Sequence, residues 1–382
     1  MVIRYTLFPP YALHPTALSL KKTLVCYLCC MLFAQEIVQW YHQNKRDLPW
    51  RCTTDPYIIW LSEIILQQTR VEQGLPYFHR FVATYPTVQD FAKAEEDEIL
   101  RLWQGLGYYS RARNMHKAAK TVIRDHKGTF PKDYTSLLKL PGIGEYTAAA
   151  IASFSANEPQ AVLDGNVFRV LARYFGIDEP INTNKGKKVF TGIATDMLDQ
   201  KNASVYNQAI MEFGALQCKP QSPNCSICPL NTSCYARREN KVNFLPVKIK
   251  GKAPKDRHFY YFILTDKDRI AMQRRGPKDI WENMYEFPLI EYPEALDLGQ
   301  LRKTSVFQQF FPMDSELEII SRPKKHVLSH QNIYATFIAV KNFIRSEEKK
   351  SEWNYVFIKD LDTLAKPKLI FTFLRDHNIC NN

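Results

Sequence analysis

Four cysteines, Cys218, Cys225, Cys228 and Cys234, fall within seventeen residues in the spacing C-x6-C-x2-C-x5-C. Thiolates at this density bind either Zn²⁺ or an iron–sulfur cluster, because both accept tetrahedral sulfur donors, and the spacing alone does not choose between them. The other cysteines, Cys26, Cys29, Cys30, Cys52 and Cys380, are not spread as a disulfide framework would be. The clustering points to a reducing compartment and a metal centre.

Two carboxylates draw attention next. In "WLSEIILQQTRV" Glu63, Gln67 and Gln68 interrupt an otherwise apolar helical pattern, and Glu63 and Gln67, four apart, share one face. In "VLDGNVFRVLARYFG" Asp164 precedes Gly165 and Asn166 at the start of a helical run. An Asp there is most simply an N-cap, but a carboxylate at a helix start can also remain ionised and face a developing positive charge. Two carboxylates in one pocket suit cleavage of a glycosidic bond: one protonates the leaving group while the other stabilises the oxocarbenium-like sugar. In a nucleotide the leaving group is the base.

Between them lies "LPGIGEYTAAAIASF", with Gly142 and Gly144 directly before a helix starting near Glu145. Two glycines allow positive φ and close backbone approach, so N–H groups can converge on a phosphate at the helix N-terminus. Taken alone, the same turn reads as an ordinary corner between two helices.

The elements that must position these residues follow from periodicity. From Ala34 to about Arg238 apolar residues recur at helical spacing, in segments such as "AQEIVQWYH", "EEDEILRLWQGL" and "GKKVFTGIATDML". The basic segment "SRARNMHKAAKTVIR" in this region is compatible with a phosphate-facing surface. "PVKIKGKAPKDRH" then reads as an inter-domain linker. Beyond it the period becomes two: "HFYYFILTDKDRIAMQRR" reads as a hairpin turned at Asp266 to Asp268, "MYEFPLI", "IYATFIAV" and "EWNYVFI" as further strands, and Asp360 to His377 as a helix. The fold class is therefore an all-α domain followed by an α/β domain. The expected boundaries are an N-terminal extension at 1–30, a helical domain at 31–238, a linker at 239–257 and the α/β domain at 258–378.

With 382 residues, 45% of them hydrophobic, the chain can build two cores, and its +12 formal charge favours an anionic partner, nucleic acid before membrane. "KKTLVCYLCCMLFA" looks like a signal peptide, yet its twelve-residue uncharged run is too short to span a bilayer. We read residues 1–30 as an upstream extension or a misassigned start, with the folded protein beginning near Met31.

These residues together resemble the A/G-specific adenine DNA glycosylases, the MutY family of the helix-hairpin-helix superfamily. The resemblance runs from about Ala34 to the C-terminus through "LPWR", "DPYIIWLSEIILQQTRVEQGLPYF", "LWQGLGYYSRARN", "LPGIGEYTAAAI", "LDGNVFRV", the cysteine spacing and "YEFPL". It implies that Glu63 is the general acid toward adenine, that Asp164 stabilises the cationic sugar, and that Tyr146 and Asn166 make further active-site contacts. It also implies that Gln68 and Tyr108 wedge into the base stack, that Gly142 and Gly144 hold the DNA backbone, and that the four cysteines ligate a [4Fe-4S] cluster. The C-terminal region resembles the family's Nudix-like domain, which reads 8-oxoguanine opposite the adenine. "KHVLSHQ" puts Leu328 where many relatives have an aromatic, while His326, Ser329 and His330 match. No R-E-x-x-E-E run follows "EFP", and Glu291 and Glu294 are too few for Nudix hydrolysis.

The expected protein is thus a monomeric, bacterial cytoplasmic enzyme associated with the nucleoid, not with membrane. Its substrate is double-stranded DNA with A:8-oxoguanine or A:G mispairs. Related bifunctional enzymes carry a lysine at the position of Tyr146, so a monofunctional glycosylase is expected. An endonuclease III-like lyase and a non-catalytic lesion-binding protein are the rival readings.

Overall fold

A computed structural model of the protein describes residues 20–251, 253–321, 323–341 and 353–379. Residues 1–19, most of the expected N-terminal extension, lie outside the described residues. The chain divides into two compact units that are not consecutive in sequence: the described residues up to Asp47 with Asn157–Lys248, and Leu48–Ala156 with the residues from Ile249 onward.

In the first unit the helix Leu20–Asn44 joins Gly165–Phe175, Asn184–Asp196, Ala203–Leu216 and Tyr235–Arg238. No Gly or Pro interrupts this helix between Leu20 and Asn44. Phe33, Ile37, Leu171, Phe190, Ile210 and Phe213 form the buried core. At its edge Arg46 donates through Nε and Nη2 to both oxygens of buried Glu212, at 2.9 and 2.7 Å.

The second unit contains the helices Pro56–Ile65, Val71–Thr84, Val88–Lys93, Glu96–Leu102, Ser110–Asp125, Tyr134–Leu137 and Glu145–Ala156. Asp55 caps the first by accepting from the Tyr57 N–H at 2.9 Å, and Trp60, Phe81, Phe91 and Trp103 fill the space behind it.

The same unit carries the strands β1 (Lys255–Ile263), β2 (Thr265–Asp266), β3 (Arg269–Arg274), β4 (Tyr285–Glu286), β5 (Leu289–Tyr292), β6 (Glu316–Ile319), β7 (Lys324–Val327), β8 (Gln331–Lys341) and β9 (Asn354–Phe357). One sheet has the order β5-β1-β8-β6 with β7 also on β8, and the other β2-β3-β4 with β9 on β3. Among the described residues of the linker segment no helix or strand precedes β1, which begins at Lys255.

The expected hairpin is corrected. Only its tip, β2 and β3, pairs locally, whereas β1 runs parallel to β8, with Lys255 opposite Gln331 and Tyr261 opposite Phe337. Both faces of β1 are apolar: Phe259 and Tyr261 enter one core, Tyr260 and Phe262 the other. Such a strand belongs in the middle of a sheet covered on both sides, and period two cannot tell a local partner from a distant one. The expected final helix is also corrected. A 3-10 turn at Ile358–Thr363 and a helix at Lys368–Asp376 replace it, because Pro367 disfavours helical backbone at Lys366.

One hydrophobic core unites Trp60, Phe81 and Trp103 of the helices with Phe259, Phe287 and Phe373 of the α/β region. Polar contacts run alongside it: Arg113 Nη1 donates to the Glu282 carbonyl at 2.9 Å, Asn283 Nδ2 to Glu96 Oε1 at 2.7 Å, and Arg274 Nη2 to Asp97 Oδ1 at 2.8 Å.

Candidate active site

Glu63 sits in the last part of the Pro56–Ile65 helix, a segment so apolar that its carboxylate is 8% exposed. Burial of a carboxyl demands a partner, and Tyr146 supplies it by donating its phenolic proton to Glu63 Oε2 at 2.7 Å. One turn on, Gln67 Nε2 donates to Thr147 Oγ1 at 3.3 Å. The shared face of Glu63 and Gln67 therefore looks onto the Glu145–Ala156 helix.

That helix follows the glycine turn. Gly142 has φ of 77°, and a Cβ there would lie 2.7 Å from Asn114 Cβ, so this position requires glycine. Gly144 differs from expectation. Its φ is outside the left-handed region because its carbonyl already accepts the Ala148 N–H at 2.9 Å and opens the helix. Nothing lies within 4 Å of where its side chain would be, which leaves the backbone open to close approach.

Gln68 and Tyr108 are both exposed and both left-handed, with φ of 55° and 49°. Non-glycine residues there cost roughly 1 kcal/mol each and need outside support. Arg111 provides it, and the sequence reading missed it. Its Nη1 donates to the carbonyls of Ile64, Ile65 and Gln67 at 2.9, 3.2 and 2.6 Å, and its Nη2 to Gly107 at 3.1 Å. The guanidinium lies over the rings of Trp103 and Tyr108. Burial lowers the Arg111 pKa to about 10, which still leaves it cationic at the C-terminus of the Glu63 helix, where carbonyl dipoles favour it. The basic segment is thus only partly a solvent face: Arg111 turns inward and Arg113 is buried against Glu282. The one sequence signal was an arginine adjacent to "GLGYYS".

In the other unit Asp164 caps the Gly165–Phe175 helix. Its Oδ1 accepts from the Asn166 and Val167 N–H groups at 2.9 and 2.8 Å, and its Oδ2 accepts from Asn166 Nδ2 at 2.7 Å. Burial pushes its pKa above the ordinary aspartate value, while these donors and the Arg169 charge pull it back. Asn166 Oδ1 in turn accepts from Arg169 Nη2 at 2.8 Å, and Arg169 Nε donates to the Cys218 carbonyl at 2.7 Å. The capping reading and the charged-carboxylate reading are therefore compatible in one residue.

Cys218, Cys225, Cys228 and Cys234 are partly buried and carry no disulfide. Burial pushes the Cys228 thiol up to about 12, with the other three thiols adding to the rise. Such mutual repulsion between thiolates is relieved by a cationic centre. Arg173, 3% exposed, donates to Cys218 Sγ at 3.4 Å and to the Lys219 and Pro220 carbonyls at 2.6 and 2.9 Å, fixing the start of the loop. Among the described residues no three His, Cys, Asp or Glu side chains converge on a position for a single metal ion. The donor set, four soft sulfurs on one short loop whose charges act on one another, is of the kind that holds an iron–sulfur cluster or zinc.

In the α/β region Ser329 and His330 form the exposed tip between β7 and β8, closed by the Leu328 N–H on the Gln331 carbonyl at 2.9 Å. Ser329 Oγ and His330 Nδ1 are 3.1 Å apart. Leu328 packs toward the core, and His326 lies edge-on to Trp281 with its pKa lowered by burial. Nearby carboxylates are taken by arginines: Glu286 by Arg275 at 2.8 Å, and Glu291 by Arg257 at 2.6 and 2.5 Å. No described helix is long and apolar enough to cross a membrane.

Residues 61–191 match the HhH-GPD superfamily of base excision DNA repair proteins, and residues 260–376 match the NUDIX domain. The chain is 36% identical over 330 residues to an adenine DNA glycosylase of Buchnera aphidicola subsp. Baizongia pistaciae, covering 85% of this chain and 91% of that one. It is 40% identical over 215 residues to the human adenine DNA glycosylase, covering 54% and 39% of the two chains. A thermostable thymine-DNA glycosylase of known structure aligns with a TM-score of 0.52 at 29% identity, over 57% of this chain and 99% of that one.

Proposed function

Because the chain belongs to the adenine DNA glycosylase family, with a helix-hairpin-helix glycosylase fold and a Nudix-like domain, we propose that it excises adenine opposite 8-oxoguanine or guanine in base excision repair. The bond to be cut is inaccessible in a stacked duplex, so the adenine must first be flipped out. Exposed, conformationally constrained Gln68 and Tyr108 suit insertion into the stack it leaves. The open backbone at Gly144, after the tight turn at Gly142, suits contact with a phosphate.

The observation that carries the reading is the buried Glu63 carboxyl held by Tyr146 at 2.7 Å. Tyr146 donates to Oε2, which directs the acidic proton to Oε1 and from there to a ring nitrogen of adenine. Protonation converts the base into a neutral leaving group, and the glycosidic bond breaks toward a cationic sugar. Asp164, its geometry set by three donors, stabilises that charge, and water completes hydrolysis. Tyr146 offers no amine for a Schiff base, which supports a monofunctional enzyme that leaves an intact abasic site. The arginine-paired Glu286 and Glu291 support a recognition role for the Nudix-like domain over pyrophosphate hydrolysis.

The cysteine frame supports a [4Fe-4S] cluster as the resident group, held by Cys218, Cys225, Cys228 and Cys234. When bound it supplies a rigid charged anchor for the loop; Arg173 and Arg169 tie that loop to the Asp164 helix.

The test is Glu63→Gln in single-turnover excision from an A:8-oxoguanine duplex. The amide keeps the shape and cannot give up a proton, so excision should be abolished while duplex binding persists. Cutting at the native rate would refute the assignment.

A further inference from the structure

We propose that Arg257 and Gln331 are positioning residues that set the hydrogen-bonding polarity of Ser329 toward the base opposite the adenine. This rests on the recognition role of the Nudix-like domain given above. The Arg257 guanidinium is fixed by Glu291, through Nε at 2.6 Å and Nη2 at 2.5 Å, and by Asp279, through Nη1 at 2.8 Å and Nη2 at 2.7 Å. Its Nη1 also donates to Gln331 Oε1 at 3.1 Å. A guanidinium has only donors, so the buried Gln331 amide must turn its oxygen to Arg257 and its NH₂ the other way.

That NH₂ faces His330 Nε2 at 3.2 Å. An amide nitrogen only donates, so Nε2 must accept, and the proton of the neutral ring sits on Nδ1. Nδ1 faces Ser329 Oγ at 3.1 Å and is therefore the donor in that pair. Ser329, exposed at the hairpin tip, keeps its own proton and a lone pair for a ligand. The opposite tautomer would draw the hydroxyl proton inward and leave Ser329 an acceptor alone.

The distinction matters for the base being read. Guanine presents N7 and O6 as acceptors on its major-groove edge. Oxidation at C8 adds a carbonyl and puts a proton on N7, so a donor there lies beside acceptors. A hydroxyl that donates and accepts together meets two neighbouring groups of 8-oxoguanine, but only one of guanine.

The first measurement needs no variant. Two-bond ¹H–¹⁵N spectra of the full-length protein with ¹⁵N-labelled histidine, His330 being assigned from a His330→Gln sample, should show the Nδ1–H tautomer. An Nε2–H ring would overturn the proposal. In Gln331→Glu one carboxylate oxygen still accepts from Arg257 while the other faces Nε2, so the tautomer should switch. Binding to duplexes bearing a 2′-fluoro adenine nucleotide, which resists excision, should then weaken about fivefold opposite both 8-oxoguanine and guanine, the worth of one neutral hydrogen bond. Ser329→Ala should instead lose more opposite 8-oxoguanine than opposite guanine. An unswitched ring or unchanged binding in Gln331→Glu would overturn the relay. Native protein that binds both duplexes equally would overturn the recognition reading itself, whatever tautomer the ring adopts.

Discussion

Tyr146 and Glu63, 83 positions apart in the chain, are joined by a 2.7 Å hydrogen bond between two packed helices. Removing the donor in Tyr146→Phe leaves the ring and takes away the group that orients the carboxyl. A hydrogen bond to the protonated, neutral carboxyl contributes about 0.5–1.5 kcal/mol, so the single-turnover excision rate should fall roughly two- to tenfold with little change in duplex affinity. An unchanged rate would mean that the carboxyl is oriented by something else.

The same position decides the fate of the abasic product. Native protein should yield little borohydride-trapped complex, and Tyr146→Lys should yield more, since it places an amine beside Glu63. The exposed Lys139 lies in the turn before the hairpin. Strong trapping by native protein that disappears in Lys139→Ala would contradict this.

Asp164 must be ionised to stabilise a cationic sugar, and burial raises its pKa above the ordinary aspartate value. Activity should therefore be lost as pH falls through that raised pKa, placing the acid limb of the single-turnover profile above the usual carboxylate range. Asn166→Ala removes a donor that favours the ionised form and should move the limb to higher pH. A limb that stays put would show that another group governs it.

Arg111→Met should lower stability by about 2–3 kcal/mol in urea titration, because four carbonyls lose a charged donor inside the unit. It should also weaken duplex binding, since Gln68 and Tyr108 lose the support that offsets their left-handed backbone. A fully stable variant with normal binding would remove Arg111 from this role.

Truncation after Lys248 should lower the thermal midpoint markedly rather than only altering mispair preference. Phe259, Phe287 and Phe373 belong to the same core as Trp60 and Trp103, and their loss exposes apolar surface on the helices. Calorimetry on the truncated and full chains would decide, and equal midpoints would show that the helices do not depend on this core.

Sequence by itself determined the features that a few neighbouring residues create. The Asp164 cap needs only the N–H groups two and three positions on, the four cysteines share one short loop, and the change from helical to alternating period marks the passage to the α/β region. Only tertiary structure decided the rest. β1 chose β8 rather than its neighbour because both its faces needed cover. Arg111, Arg113, Arg169, Arg173 and Arg257 look in sequence like any solvated cation, yet each reaches into the fold to carbonyls or carboxylates. A local signal is written in backbone chemistry within a turn of its source. A long side chain has no such signature, because its partners are set by which distant surfaces the packed core brings within its reach.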